Sequence, residues 1–311
     1  MEPSVVVVGA GLSGVACARE LAAAGVAVRL VDRGRRVGGR MASRRLDGRP
    51  VDLGASYFTV TDDGFGAVVT DWQRRGLATP WTDTFTVLEA GAAPETKTGP
   101  VRWGAPGGLR SLVEDLADGL EVELGSHVEA LPDAPTVVLA MPDPQAVRLL
   151  PDDPSFAAVR RRLDRDYEPV LALSARWPGR TWDLDGAFVN GDDTIAWVAD
   201  DGRRRGDDAP VLVAHSTPAF AQPHLDDPQA AADPMTAALR DLLGLDEPVE
   251  TYLHRWSIAR PTGEREDPYL LEEAGDRLVA ACGDGWGPTS KVETAWVSGS
   301  ALGRELVRRL G

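Results

Sequence analysis

Val5-Val6-Val7-Val8-Gly9-Ala10-Gly11-Leu12-Ser13-Gly14, running on through alanine-rich sequence to Val31-Asp32, is the stretch that decides the fold. An unbroken valine run without polar alternation reads as a strand covered on both faces, as in a parallel sheet. Residues 4–8 are predicted to form that strand, and residues 12–24 a helix of small side chains ended by Gly25. Residues 26–31 read as a second strand closing on Asp32, which completes a strand-helix-strand unit of about 30 residues. Gly9, Gly11 and Gly14 have the G-x-G-x-x-G spacing. The first glycine permits a tight turn, the second lets a pyrophosphate approach the backbone, and the third lets helix and strand pack closely. The helix start at Leu12 and Ser13 offers its positive end to phosphates, and Asp32 can accept hydrogen bonds from ribose hydroxyls.

NAD and FAD share the adenosine diphosphate that this unit binds, so the rest of the chain must separate them. Arg33 and then Gly38-Gly39-Arg40-Met41 follow Asp32, placing flexible backbone and a cation within reach of a second phosphate. At the far end Cys282-Gly283-Asp284-Gly285-Trp286 leaves an apolar strand at residues 277–282, and Val292-Glu293-Thr294-Ala295-Trp296 opens a helix predicted over residues 294–310. Asp284 suits a ribityl hydroxyl, and the start of that last helix would place positive potential near a flavin pyrimidine ring. Elements at both ends of the chain suit an extended cofactor such as FAD.

The remainder divides accordingly. The dense glycine and arginine of residues 33–49 read as a functional loop, and beyond Phe58 the texture turns polar around Thr61-Asp62-Asp63-Gly64. A helix is predicted at residues 108–117 and short strands at 121–124, 127–131 and 136–140. Further strands at 170–175, 187–189, 194–198 and 211–215 suit an antiparallel wall, with part of 207–234 a solvated loop. The expectation is an α/β protein: a discontinuous Rossmann-like FAD-binding domain on a parallel sheet (residues 1–58, 105–143 and 257–311), with an inserted substrate domain on an antiparallel sheet (59–104 and 144–256).

Across the 311 residues, 33 basic side chains oppose 48 acidic ones, for a net charge of -15, which argues against a nucleic-acid partner. Cys17 and Cys282 are the sole cysteines and stand far apart, which suggests neither a disulfide framework nor a zinc site. The four histidines have no metal-ligand spacing, so no metal is assigned. The first residues lack the basic start and long apolar centre of a signal peptide, and no run approaches the roughly 18 apolar residues of a membrane span. A cytoplasmic protein without a membrane partner is expected.

Several segments, taken in order, resemble the bacterial renalase-like flavoproteins of the flavin-containing amine oxidase superfamily. They are Gly9 to Asp32, Gly38-Gly39-Arg40-Met41-Ala42-Ser43, Asp52-Leu53-Gly54-Ala55-Ser56-Tyr57-Phe58-Thr59, Val101-Arg102-Trp103, Pro106-Gly107-Gly108-Leu109, His254-Arg255-Trp256, Ala259-Arg260-Pro261, and Cys282-Gly283-Asp284 to Ser298-Gly299. The resemblance implies noncovalent FAD and oxidation of 2- or 6-dihydro isomers of NAD(P)H, with oxygen reduced to hydrogen peroxide. By that pattern Gly54, Ala55, Ser56, Val128, Lys291, Val292, Glu293 and Ala295 join Gly9, Gly11, Leu12, Ser13, Gly14, Asp32, Arg33, Gly39, Arg40, Met41, Gly283 and Asp284 as cofactor contacts. Tyr57, Phe58, Thr59, Arg102, Trp103, Phe188, Trp197 and His215 would contact a small-molecule substrate. A dihydropyridine is already a competent hydride donor, so stacking against flavin N5 without a general base suffices.

The chain departs from the pattern at Ser56, at Asp201 and in the short connection from Val128 to Val137. An acidic Asp201 in the pocket would disfavour a phosphate-bearing substrate. A flavin oxidase or dehydrogenase of amines or of a specialised metabolite is the alternative. Lysine is confined to Lys97 and Lys291, and Lys291 reads as cofactor-adjacent. A flavin-binding protein without turnover is a third reading.

Overall fold

In the computed structural model, which describes residues 4–89 and 91–311, the valine run forms the strand Val5–Val8, buried along its whole length. It lies at the centre of a six-stranded sheet in the order Leu270–Ala274, Arg277–Ala281, Thr136–Leu139, Val5–Val8, Val28–Asp32, Val122–Leu124. Every pairing is parallel except that of Leu270–Ala274 with Arg277–Ala281. The first helix, Leu12–Ala23, crosses one face, and Leu109–Ala117 and Val292–Leu310 pack beside it. This is the Rossmann-like arrangement expected.

The second sheet has seven strands, ordered Glu250–Pro261, Tyr167–Arg176, Val211–Ser216, Ile195–Asp200, Gly186–Asn190, Thr79–Glu89, Glu95–Gly104. All neighbours are antiparallel except Thr79–Glu89 with Gly186–Asn190. Its outer face buries Leu171, Leu173, Leu212 and Ile195 under the helix Ala232–Leu243, while the other face is turned to the parallel sheet.

Sequence periodicity misplaced several local elements. No strand forms at residues 127–131: the Leu131 amide bonds the Leu149 carbonyl, and just upstream Gly125 and Ser126 bond Gly34 and Asp32, so this backbone is tied to loops instead of a ladder. The glycine and arginine stretch is more than a loop, because it holds a 3-10 turn at Gly39–Met41 and a hairpin pairing Ser43–Leu46 with Arg49–Asp52. Thr61 to Gly64, read as turns, leads into the helix Asp63–Arg74, capped by Asp62, whose carboxylate accepts from the Phe65 amide. That helix buries Phe65, Val69 and Trp72 in the same core as the first helix. Within 207–234, Pro218–Ala221 is also helical.

The first and closing helices meet through glycine. A Cβ on Gly299 would overlap the Ser13 carbonyl oxygen, and one on Gly303 would lie 2.7 Å from the Cys17 carbonyl oxygen. Contact this close lets the start of the closing helix stand next to the glycine turn, where the far-end motif must reach. Inserting a methyl group there forces backbone to move. Gly299→Ala is therefore expected to lower stability by about 1–3 kcal/mol, read as a lower urea midpoint with an unchanged slope.

Candidate functional site

Between the two sheets runs one cleft of about 1790 Å³. Pockets for drug-sized ligands hold roughly 300–1,000 Å³, so this space suits an extended dinucleotide with a second molecule beside it. Gly9, Gly11, Leu12, Ser13, Asp32, Arg33 and Val128 line one end. The first helix begins at Gly11 with no side chain capping its free amides, which leaves them for an anion. An added Cβ at Gly11 would face the Gly39 Cα at 3.9 Å, and one at Gly39 would face the Gly11 Cα at 3.2 Å. The two glycines thus form the walls of a slot that side chains would fill. Asp32 already accepts from the amides of Ala10 (2.7 Å) and Gly34 (2.6 Å), which fixes its carboxylate at the strand end. Gly14 lies beneath the lining, where a Cβ would overlap the Gly9 carbonyl oxygen. These features fit the adenosine and pyrophosphate portions of a dinucleotide.

The cleft's middle joins the two ends of the chain. Arg40 grips Asp284 with both nitrogens, at 2.5 and 3.1 Å, and also donates to the Ala259 carbonyl at 2.9 Å. Asp284 accepts a further bond from Ser290 at 2.6 Å. Gly39, Arg40, Met41, Gly54, Ala55, Ser56, Asp284, Lys291, Val292 and Ala295 all line this region. Arg40 is thus committed to Asp284 and not a free cation.

Gly283 and Glu293, predicted as cofactor contacts, sit behind the lining. The Gly283 amide donates to Ser298, and the buried Glu293 carboxylate accepts from the amides of Thr61 and Asp62 and from the Thr61 hydroxyl. Glu293 instead ties the closing helix to the segment leading into Asp63–Arg74.

The antiparallel sheet roofs the remaining space with an aromatic box. Ring centroids of Tyr57 and Phe85 are 5.2 Å apart, those of Phe85 and Trp197 4.8 Å, and those of Phe188 and Trp197 4.9 Å. Trp197 donates its indole N–H to Ser56 Oγ at 3.0 Å, which locks the roof to the cofactor loop. Arg102 lies 4.2 Å from the Phe85 centroid and donates to the Asp83 carbonyl. Thr59 and His215 also reach the wall. Trp103 does not: it stacks on Phe58, whose ring is packed with Phe65 and Trp72. Phe58 reaches the wall from that core position, so the substrate reading gives way to core packing for Trp103 alone.

Sequence reading passed over Trp81 and Phe85, which pack behind the box without lining the cleft, and the basic rim of Arg44, Arg255 and Arg260. Among the described residues, the carboxylates lining the cleft are Asp32, Glu129 and Asp284, and none of these lies on the antiparallel sheet.

Asp201 stays out of the cleft altogether. It is fully buried, pairing with Arg49 at 2.5 Å, with Arg205 at 3.1 Å and with Arg204. Burial alone would raise its pKa, but the three guanidinium groups win and hold it well below the usual carboxylate range. The anticipated repulsion of phosphate therefore has no source here. Arg204 also donates to the carbonyls of Ser56 and Asp52, and Arg205 to the Asp52 carboxylate at 3.0 Å. This cluster fastens the short helix Asp201–Arg205 beneath the Asp52 to Ser56 loop.

Residues 7–72 match the model of the NAD(P)-binding Rossmann-like domain family. A protein of Mycobacterium tuberculosis described as a flavin-containing monoamine oxidase is 42% identical over 80 residues, 26% of this chain and 16% of its own length. Among solved structures, cyclohexylamine oxidase from Brevibacterium oxydans superposes with a TM-score of 0.77 at 14% identity, covering 100% of both chains. A structure described as a protoporphyrinogen oxidase from Exiguobacterium gives 0.76 at 15% identity, covering 99% of each. At these identities the likeness is one of fold: a Rossmann-like parallel sheet joined to a second, antiparallel-rich sheet, as in those oxidase structures.

Removing one partner from a buried ion cluster leaves charge uncompensated. Asp201→Ala is expected to cost about 3–5 kcal/mol at pH 7. Because the folded pKa is depressed, the stability Asp201 contributes is present above the ordinary aspartate range near pH 3.9 and is lost as pH falls towards the depressed value. Urea unfolding at pH 7 and again at pH 3 should show the gap between wild type and variant narrowing in acid.

Proposed function

We propose that the protein is an FAD-dependent oxidoreductase that takes a hydride from a planar reduced donor held under the aromatic box. The observation that carries this reading is the convergence of the opening glycine turn and the closing Gly283-Asp284 segment on one slot long enough for a dinucleotide, sealed by Arg40 and Asp284. FAD, when bound, supplies a two-electron acceptor at flavin N5. The chain's own part is positioning and exclusion of water. Gly11 and Gly39 leave room for the pyrophosphate, Asp32 is set to meet the ribose, and Gly54 to Ser56 with the start of the closing helix border the ring's place. Tyr57, Phe188 and Trp197 supply flat faces against which a donor ring can lie parallel to the flavin.

For the donor, the same reading extends to 2- or 6-dihydro isomers of NAD(P)H, converted to NAD(P)+ while oxygen is reduced to hydrogen peroxide. Support comes from the charge of the substrate wall, where Arg44, Arg102, Arg255 and Arg260 line the cleft and, among the described residues, no carboxylate of that sheet does, although Glu168 pairs with Arg260 at 3.5 Å behind the lining. Such a wall favours phosphate-bearing donors and opposes protonated amines. The amine-oxidase alternative draws on the names of the relatives, and the same wall weighs against it.

The decisive trial is anaerobic mixing of the purified, FAD-loaded protein with isomerised NADH. Bleaching of the yellow colour within seconds is expected, and bleaching by an amine alone would replace this donor with the alternative. Gly11→Val should abolish flavin retention, since the added side chain enters the pyrophosphate slot. Equal FAD content in the variant and the wild type after gel filtration would remove the assignment of that slot.

A further inference from the structure

The antiparallel sheet lays a single row of side chains across the cleft. Phe188 is paired with Trp197, Trp197 with His215, His215 with Ala172, and Ala172 with His254. Neighbours in such a row stand about 4.8 Å apart per strand, so His215 lies one strand from Trp197, and the small Ala172 separates it from His254. Imidazole hydrogen-bonds the Leu53 carbonyl, which also accepts from the Trp256 indole N–H at 2.9 Å. The other nitrogen, Nε2, is buried and has no partner among the described residues, and His215 is part of the cleft wall. A neutral imidazole has one donor and one acceptor nitrogen. With the donor engaged by Leu53, Nε2 offers only a lone pair.

The surroundings keep it so. Burial pushes the His215 pKa down to about 4, the Arg204 and Arg260 cations push the same way, and the Leu53 hydrogen bond opposes them. His254, across Ala172, is likewise lowered by burial and by Arg44 and Arg255. At neutral pH the row therefore presents an unprotonated acceptor in a wall whose other polar groups are mostly cations.

We propose that His215 Nε2 determines which donors this flavoprotein accepts, by taking a hydrogen bond from an N–H or O–H group borne on the planar ring that lies against Trp197 and Phe188. A buried acceptor left unpaired is costly, so a ring without that hydrogen is rejected and one with it is favoured. The substrate class is thus a planar reduced ring carrying an amide, amine or hydroxyl hydrogen beside its reacting carbon. The inference rests on the flavoprotein reading above, and the test separates the two.

FAD released from the purified protein is quantified first. The holoprotein is then titrated with benzamide and with methyl benzoate, which has a similar planar shape but no N–H, following the visible flavin band. Wild type should bind benzamide at least about tenfold more tightly. In H215L that preference should vanish through weaker benzamide binding, with methyl benzoate unchanged; if H215L does not fold, H215F serves for the same comparison. A yellow wild-type protein that shows no preference, or that neither ligand perturbs, overturns the role of His215 alone. Equal weakening of both ligands in the variant also overturns it, as a loss of packing. A protein that retains no FAD overturns the flavoprotein reading, and this inference with it.

Discussion

Arg40 and Asp284 stand 244 positions apart in the chain and meet in a two-pronged ion pair inside the cleft. Their side chains keep 29% and 14% of their exposure, and although burial works to lower the Arg40 pKa, Asp284 and Tyr167 more than offset it and leave it raised. What the pair fixes is geometry. Through Arg40 it reaches the Ala259 carbonyl on the long strand Glu250–Pro261, and through Asp284 it reaches Ser290 ahead of the closing helix. The Gly38 to Met41 turn, the antiparallel sheet and the C-terminal motif are thereby referred to one point. Arg165 supports the same point from behind, donating to the carbonyls of Thr262, Gly263 and Gly285.

The charge distribution runs against the composition. A chain of net charge -15 builds a cleft with a basic wall of Arg44, Arg102, Arg255 and Arg260. Arginines at that wall are held largely by uncharged partners: Arg102 by the Asp83 carbonyl and the Phe85 ring, Arg255 by the Leu225 carbonyl, Arg44 over the Tyr252 ring. Carbonyls and aromatic faces orient a guanidinium without cancelling its charge. Acidic residues elsewhere set the net charge, while the local field at the arginines favours anions in the cleft. Net charge therefore described the surface and said nothing of the site.

The nucleotide end was legible from sequence because its requirements are local. Glycine at positions 9, 11 and 14 is dictated by backbone approach within a single turn, and the valine run carries its burial on its face. The closing motif was legible through its resemblance to known flavoproteins and the helix signal that follows it. Trp81 and Phe85 were missed because their strand, Thr79–Glu89, mixes threonine, proline and aspartate and shows no clean alternation. Asp201 was misjudged for a different reason. Its three arginine partners arrive from the hairpin at Arg49 and from its own helical turn, and one-dimensional sequence does not display such a convergence. Trp103 and Phe58 show the same ambiguity for aromatics, whose spacing is equally suited to a pocket or a core.

Both halves of the site converge on one short segment, Asp52 to Ser56. The Leu53 carbonyl receives Trp256 and His215, a Cβ on Gly54 would overlap the Arg40 carbonyl oxygen, and the Ala55 amide bonds that same oxygen at 3.0 Å. Ser56 holds Trp197, and Arg204 and Arg205 grip the segment from below. Most of these contacts use backbone atoms, which side-chain substitution leaves in place. On the proposed reading, donor choice would change through residues on the sheet, such as Phe188, His215 or Arg260, without disturbing the slot for the cofactor. A change that moves the segment itself would alter both at once, because cofactor wall and substrate roof share the same five residues of backbone.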